Sequence, residues 1–181
     1  MKNQAQVVVI GGGVVGASIL YHLSKLECHD AIMLERSELT SGSTWHAAGG
    51  MHTINGDPNV AALQDYTIAL YRTLEEESGQ SCGLHMTGGV NLATSQTRWE
   101  WIKSAVSTFK AIGIETSRLM TPAEIDEITG GMIRTDDVLG GLYDSNEGYL
   151  DPNGTTHAYA KAAQNRGAEI ILRNRVLALN Q

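Results

Sequence analysis

The chain has 181 residues, of which 42% are hydrophobic and 18% charged, and its 13 basic and 20 acidic residues give a formal net charge of -7. A charged fraction below the usual quarter excludes an intrinsically disordered chain, because disorder needs the opposite bias. The net acidity, without any cluster of lysine and arginine, argues against nucleic acid and against a membrane as partners.

The two cysteines, Cys28 and Cys82, form no CxxC motif, which excludes a disulfide scaffold and a cysteine-based zinc site. We predict two free thiols in a reducing compartment and no metal site. The apolar stretch over residues 7–20 is too short to cross a bilayer. Polar residues crowd its start and no clean cleavage site follows, which argues against a signal peptide. These features predict a cytoplasmic location.

The first 35 residues predict a strand, a glycine turn, a helix and a second strand. Residues 6–10 are an apolar, β-branched run, typical of a parallel strand covered on both faces. Residues 14–26 have helical spacing, and residues 31–34 predict the second strand. The face of the helix that we expect to be buried carries Val15, Ile19 and Leu23.

Gly11, Gly13 and Gly16 form a G-x-G-x-x-G pattern between the first strand and the helix. The first glycine permits a tight turn, the second lets a pyrophosphate approach the backbone, and the third lets helix and strand pack closely. Glu35, at the end of the second strand, is placed to accept hydrogen bonds from adenosine ribose hydroxyls. The pattern predicts a dinucleotide but leaves open NAD, FAD and a turn without a ligand.

Further elements follow a polar, glycine-rich loop that extends to residue 56. Four side chains are suited to cap helices, and Thr121 with Glu124 forms a capping box. The predicted caps are Asn59, Ser95, Thr121 and Asp151. The predicted strands cover residues 90–94, 138–143, 169–172 and 176–179.

The loop after Glu35 surrounds one histidine with small and hydroxyl-bearing residues. Such a segment suits an extended cofactor, although an ordinary glycine-rich loop has the same composition. The sequence of residues 35–49, ERSELTSGSTWHAAG, closely resembles the dimethylglycine and sarcosine dehydrogenases, among the D-amino-acid-oxidase-like flavoproteins. The similarity continues through LEEESG (74–79), GGVNLAT (88–94) and GYLDP (148–152), although relatives often have histidine in place of Tyr149.

This resemblance implies FAD as the cofactor, bonded covalently to His46 through the flavin 8α-methyl carbon. It also implies a backbone contact near the adenine from Val176. The other implied FAD contacts are Val14, Val15, Glu35, Arg36, Gly42, Ser43, Thr44, Trp45, Ala47, Ala48, Gly49 and Gly50.

The resemblance further implies a Rossmann-like α/β FAD-binding domain with an inserted β-rich α+β substrate domain. We expect the first part of the FAD-binding domain over residues 1–78, a substrate-domain portion over 79–144, and the return to the FAD-binding domain over 145–181. Because no turn or tail follows the last predicted strand, we expect the chain to be truncated at its C-terminus.

The activity implied is oxidation of a secondary or tertiary amine, dimethylglycine or sarcosine, by hydride transfer from the N-methyl carbon to flavin N5. Water would then hydrolyse the iminium. An electron acceptor is an expected partner, folate would bind only through an absent C-terminal region, and no catalytic base is identifiable. We expect the 181 residues alone to be inactive. The alternatives are an NAD-dependent dehydrogenase, an FAD enzyme for a non-amine substrate, and a non-catalytic nucleotide-binding fragment.

Overall fold

The structure is a computed structural model that describes residues 4–180. Its contacts divide the chain into two units, and each is described by itself below. The first unit takes its residues from 4–49, Leu70–Leu84 and 150–180, and the second from Gly50–Ala69 and His85–Tyr149. The domain boundaries predicted after residues 78 and 144 stay a prediction, and the outermost ends of the predicted ranges, 1–3 and 181, lie outside the described residues.

The described residues form eight strands and five α-helices. They are β1 (Val7–Ile10), α1 (Val14–Lys25), β2 (Ala31–Leu34), a 3-10 turn (Thr44–His46), β3 (Gly50–Met51), α2 (Pro58–Ser78), β4 (Gly89–Ala93), α3 (Gln96–Ala111), β5 (Ser117–Met120), α4 (Pro122–Thr129), β6 (Gly140–Asp144), β7 (Gly148–Tyr149), α5 (Pro152–Asn165) and β8 (Glu169–Ile171). Within the described part of the chain, no helix is both long and apolar enough to span a membrane.

The first unit is built on a parallel sheet with the strand order β1-β2-β8. Val7 of β1 lies opposite Ala31 of β2, and Ile32 of β2 lies opposite Glu169 of β8. Parallel pairing puts the carboxyl ends of β1 and β2 at the same edge of the sheet, which is where open α/β sheets bind their ligands.

The buried face of α1 differs from the predicted one. Val15 and Ile19, which we expected inside, are 70% and 48% exposed, whereas Ala17 and Tyr21 are fully buried. The reason is close packing of α1 in a core with the alanine-rich α5, because small side chains allow two helix backbones to approach. The expectation that β1 is covered on both faces is also wrong, since Val8 is 45% exposed.

The second unit contains the antiparallel sheet β4-β6-β5 and the short pair β3-β7. Helix α3 buries Ile102 and Phe109 in a core that also contains Leu142 of β6. The parallel sheet of the first unit and this antiparallel α+β unit confirm the predicted fold class.

Three of the four predicted caps are present. Ser95 accepts from the amide of Arg98 at 3.3 Å, Thr121 forms the full capping box, and Asp151 accepts from two amides of α5. The fourth prediction is wrong, because the Asp57 carboxylate, and not Asn59, accepts from the first amides of α2. The strand predicted over residues 176–179 is also wrong, since this stretch forms no regular structure.

Candidate dinucleotide-binding site

The glycine turn after β1 has the tight geometry that its pattern predicts. Gly11 has a φ of +108°, a conformation that residues with a side chain rarely adopt. A Cβ atom added to Gly16 would lie 2.0 Å from the carbonyl oxygen of Gly11, so α1 can approach the turn this closely only with glycine there. The first and third glycines therefore have the roles that the fingerprint assigns to them.

Glu35 lies at the carboxyl end of β2 with only 8% of its surface exposed. Its Oε2 accepts from the amide of Gly12 and its Oε1 from the amide of Ser37, both at 2.7 Å. Each carboxylate oxygen keeps a further lone pair for a donor such as a ribose hydroxyl. The acid is thus fixed beside the glycine turn before any ligand arrives.

The glycine turn and the STWHAAG segment contact each other at the N-terminus of α1. The hydroxyl Oγ1 of Thr44 accepts from the backbone amide of Val14 at 3.0 Å. A Cβ atom on Gly13 would lie 3.0 Å from the same Oγ1. The segment that contains the histidine therefore crosses the end of the helix where a dinucleotide fold binds its phosphates.

His46 ends the 3-10 turn, and its side chain is exposed. Its ring lies against the Trp45 ring with centroids 3.9 Å apart and a tilt of 36°. Within residues 4–180, no polar group forms a hydrogen bond with either ring nitrogen of His46. Gly42, Ala47 and Ala48 are exposed along the same segment.

Most of the residues predicted to contact FAD line two cavities of the first unit. One, of about 230 Å³, lies at the ends of β1 and β2 and is lined by Glu35, Arg36 and Val176 together with Gly11. The other has a volume of about 560 Å³ and extends from the N-terminus of α1 along β1. Its lining consists of Gly13, Val14, Val15, Gly16, Ser43 and Thr44 together with Gly11, Ile19 and the four residues of β1. An acid at one cavity and a helix N-terminus at the other match the ribose and the phosphates of a dinucleotide. The described residues therefore fit FAD, and Trp45, Gly49 and Gly50 continue the chain beyond this cradle.

A third cavity, of about 490 Å³, lies within the second unit and was not expected from the sequence. Glu147 lines it and is only 8% exposed. Burial, reinforced by the neighbouring Asp144 carboxylate and opposed by a hydrogen bond from Asn91, raises the pKa of the Glu147 carboxyl to about 7. The only sequence signal was an acid directly before the GYLDP segment, which is a weak one.

Two further side chains that could carry chemistry, Cys82 and His85, lie outside the dinucleotide-binding site and make structural contacts. Burial raises the pKa of the Cys82 thiol to about 11, so this cysteine stays protonated and unreactive at neutral pH. His85 stacks on Tyr149 with ring centroids 4.8 Å apart. In the part of the chain that is described, no group of three or more potential ligands is arranged to hold a metal ion.

A βαβ unit with a glycine turn, a buried acid and a cradle at the helix N-terminus defines a dinucleotide-binding protein. Comparison with known families narrows this class: the family model "FAD dependent oxidoreductase" matches residues 6–181, and the chain belongs to this family. The assignment also removes the alternative of an NAD-dependent dehydrogenase.

Individual proteins that resemble this chain are consistent with the family assignment. The chain is 40% identical over 172 residues to human mitochondrial sarcosine dehydrogenase, covering 94% of this chain and 18% of the relative. It is 39% identical over 166 residues to rat mitochondrial dimethylglycine dehydrogenase, covering 92% and 19%. The crystal structure of L-proline dehydrogenase from P. horikoshii superposes with a TM-score of 0.86 at 25% identity, covering 96% of this chain and 45% of that one. The chain thus spans about a fifth of the curated relatives, and the predicted cytoplasmic location stays a prediction.

Proposed function

We propose that this chain provides the FAD-binding site of a flavoprotein that oxidises a secondary or tertiary amine, namely an N-methylated glycine such as sarcosine or dimethylglycine. The observation that carries the proposal is the contact between Thr44 and Val14, which joins the histidine segment to the phosphate-binding turn. The identity of about 40% to dehydrogenases of these two amines supports the substrate class.

Different residues of the first unit would bind the ribose, the pyrophosphate and the adenine of FAD. The carboxylate of Glu35 would accept from the ribose hydroxyls, and the backbone around Gly13 and the first turn of α1 would bind the pyrophosphate. Arg36 and Val176, which line the smaller cavity, would lie beside the adenine. Residues 42–50 would follow the cofactor towards its flavin end. When bound, FAD would accept the hydride that leaves the substrate carbon.

His46 is, in this proposal, the covalent attachment point of the flavin. Its side chain is exposed, neither ring nitrogen has a hydrogen-bond partner among the described residues, and small side chains follow at Ala47 and Ala48. An unprotonated imidazole nitrogen can act as a nucleophile. The Trp45 ring would hold the imidazole in one orientation through its close contact.

Acid denaturation tests the attachment. The protein is isolated with its flavin, precipitated in acid and separated on a denaturing gel under ultraviolet light. We expect yellow-green fluorescence in the wild-type band and in His157→Ala, whose exposed histidine on α5 lines neither cavity of the first unit, and none in His46→Ala. Release of the wild-type flavin by acid contradicts covalent attachment but leaves FAD binding intact.

The substrate class needs a separate measurement. Because we expect the 181 residues alone to be inactive, the full-length gene product is used with its flavin bound. Sarcosine and dimethylglycine are each mixed with it anaerobically, and the flavin absorbance near its long-wavelength maximum is followed. We expect bleaching by at least one of the two amines. A protein that retains flavin yet is reduced by neither amine contradicts the proposed substrate class and favours the non-amine or the non-catalytic alternative.

A further inference from the structure

The cavity of the second unit combines a buried acidic side chain with an arginine that has no ion-pair partner among the described residues. Its lining includes Met51, His52, Asn91, Arg98, Trp101 and Glu147. Met51 and His52 follow the proposed flavin-binding segment directly in the sequence. The lining residues come from different elements, which β-sheet pairing and the packing of α3 bring together.

Glu147 supplies the negative group of this cavity. The side chain amide of Asn91 donates to Oε1 at 3.2 Å, and it is the only donor to this carboxylate among the described residues. The other oxygen, Oε2, lies against Gly89, where an added Cβ atom would be closer to it than any real contact. A buried carboxylate with one partner retains most of its capacity to accept hydrogen bonds or to face a cation.

Arg98 supplies the positive group. Its guanidinium carbon lies 4.3 Å from the centroid of the Trp101 ring, and this stacking fixes the side chain at the wall of the cavity. No carboxylate of residues 4–180 lies within ion-pair distance of Arg98. A stacked guanidinium without an anionic partner keeps the donors that recognise a carboxylate.

We propose that this cavity binds an amino acid zwitterion whose nitrogen is methylated, with Glu147 facing the ammonium and Arg98 binding the carboxylate. The inference rests on the proposed function for its substrate class and adds the two residues that select the substrate. Opposite charges on one small ligand match opposite charges on the cavity wall.

A pair of ligands that differ only in charge tests the role of Glu147. Trimethylglycine has a permanent cationic nitrogen without a lone pair, so it binds without being oxidised. Its isostere 3,3-dimethylbutanoate has a neutral carbon in place of that nitrogen. Binding of both is measured by titration calorimetry on the flavin-containing protein. We expect wild type to prefer trimethylglycine by at least about tenfold, and Glu147→Gln to abolish this preference.

Arg98→Gln should change the two affinities differently from Glu147→Gln. It should weaken both ligands by a similar factor, because both have the carboxylate, and leave the preference between them unchanged. The matched controls are Glu127→Gln and Arg134→Gln, which change exposed charges of the same unit outside the cavity and should leave both affinities unchanged.

The pH dependence of the wild type gives a test without any substitution. The groups around Glu147 are Asp144 of β6, Asn91 of β4, Arg98 of α3 and His52 after β3. When the pH rises through about 7, the ionising Glu147 carboxyl should favour trimethylglycine over 3,3-dimethylbutanoate.

Three results overturn the inference: no binding of trimethylglycine to wild type, an affinity ratio that stays constant with pH, or an equal loss of both ligands in Glu147→Gln. Because calorimetry needs no turnover, these results are independent of the proposed activity. Selective binding without amine oxidation contradicts the proposed function alone, and amine oxidation without selectivity contradicts this assignment alone.

Discussion

The amide of Gly12 and the carboxylate of Glu35 are joined by a buried hydrogen bond of 2.7 Å across the ends of two parallel strands. The second oxygen of the same carboxylate accepts from the amide of Ser37. The acid therefore connects the turn after β1 to the chain after β2, so the residue proposed to bind ribose also shapes the proposed phosphate site.

Replacement of Glu35 should therefore affect the apoprotein as well as cofactor binding. Glu35→Ala leaves two amides without their acceptor, and we expect the free energy of unfolding to fall by about 1–3 kcal/mol for each donor left unpaired. Denaturant unfolding of the flavin-free protein measures this loss. Glu38→Ala, which removes only a surface ion pair with Arg173, is the control and should cost less than about 1 kcal/mol. Equal stability of wild type and Glu35→Ala contradicts the structural role.

Substitution of two fingerprint glycines, Gly16 and Gly13, should have different effects. Gly16→Ala forces a methyl group against the carbonyl of Gly11, and we expect a loss of stability of about 1–3 kcal/mol or more. Gly42→Ala is the control, because no atom lies within 4 Å of its added Cβ. Gly13→Ala meets only Thr44, so it should fold and yet lose flavin content. Thermal melts and flavin-to-protein absorbance ratios separate these outcomes; a stable Gly16→Ala protein counts against the described turn.

Asp151 should matter through its cap on α5. Its two carboxylate oxygens accept from the amides of Asn153 and Gly154, each at 3.0 Å. We expect Asp151→Ala to destabilise the protein by about 1 kcal/mol in denaturant unfolding. Asp151→Asn retains a capping oxygen and should be nearly neutral, so an asparagine variant as unstable as the alanine variant is the contrary result.

Stability should also change with pH because of Glu147. Burial, the largest cause, and the Asp144 charge raise the pKa of its carboxyl from 4.5 to about 7 in the folded protein. The folded state therefore holds its proton more tightly than the unfolded state. The resulting stabilisation is complete below pH 4.5 and is lost as the pH rises to about 7, by roughly 3 kcal/mol.

Unfolding of wild type and Glu147→Gln across this pH range measures that contribution. The difference in unfolding free energy between the two proteins should change in favour of the variant as the pH rises from 4.5 to 7, since glutamine has no proton to lose. Parallel pH profiles of the two proteins are the result that contradicts the raised pKa.

The features predictable from the sequence were those set by near neighbours in the chain. The glycine turn and the caps Ser95, Thr121 and Asp151 depend on a few consecutive residues, and the structure has all of them. At the start of α2, two residues suited to capping lie close together in the sequence. We predicted Asn59 as the cap, but Asp57 accepts the hydrogen bonds.

Features that depend on distant parts of the chain were not predictable. The buried face of α1 is decided by alanines of α5, more than a hundred residues later, and hydrophobicity alone favoured the more apolar face with Val15 and Ile19. The cavity around Glu147 likewise requires the register of β4 against β6, which places Gly89 opposite Asp144. No local pattern marks such a pairing.

The strand order of the first unit has a consequence for how this protein is made. Its middle strand β2 ends at Leu34, but its neighbour β8 begins only at Glu169. At a synthesis rate of about 5–20 residues per second, the ribosome needs roughly 7–30 s to deliver that neighbour. During this interval one edge of β2 has no native partner, and an unpaired apolar edge invites association with other nascent chains. We therefore expect the yield of folded protein to depend on chaperones that hold this edge, and slower translation to increase that dependence.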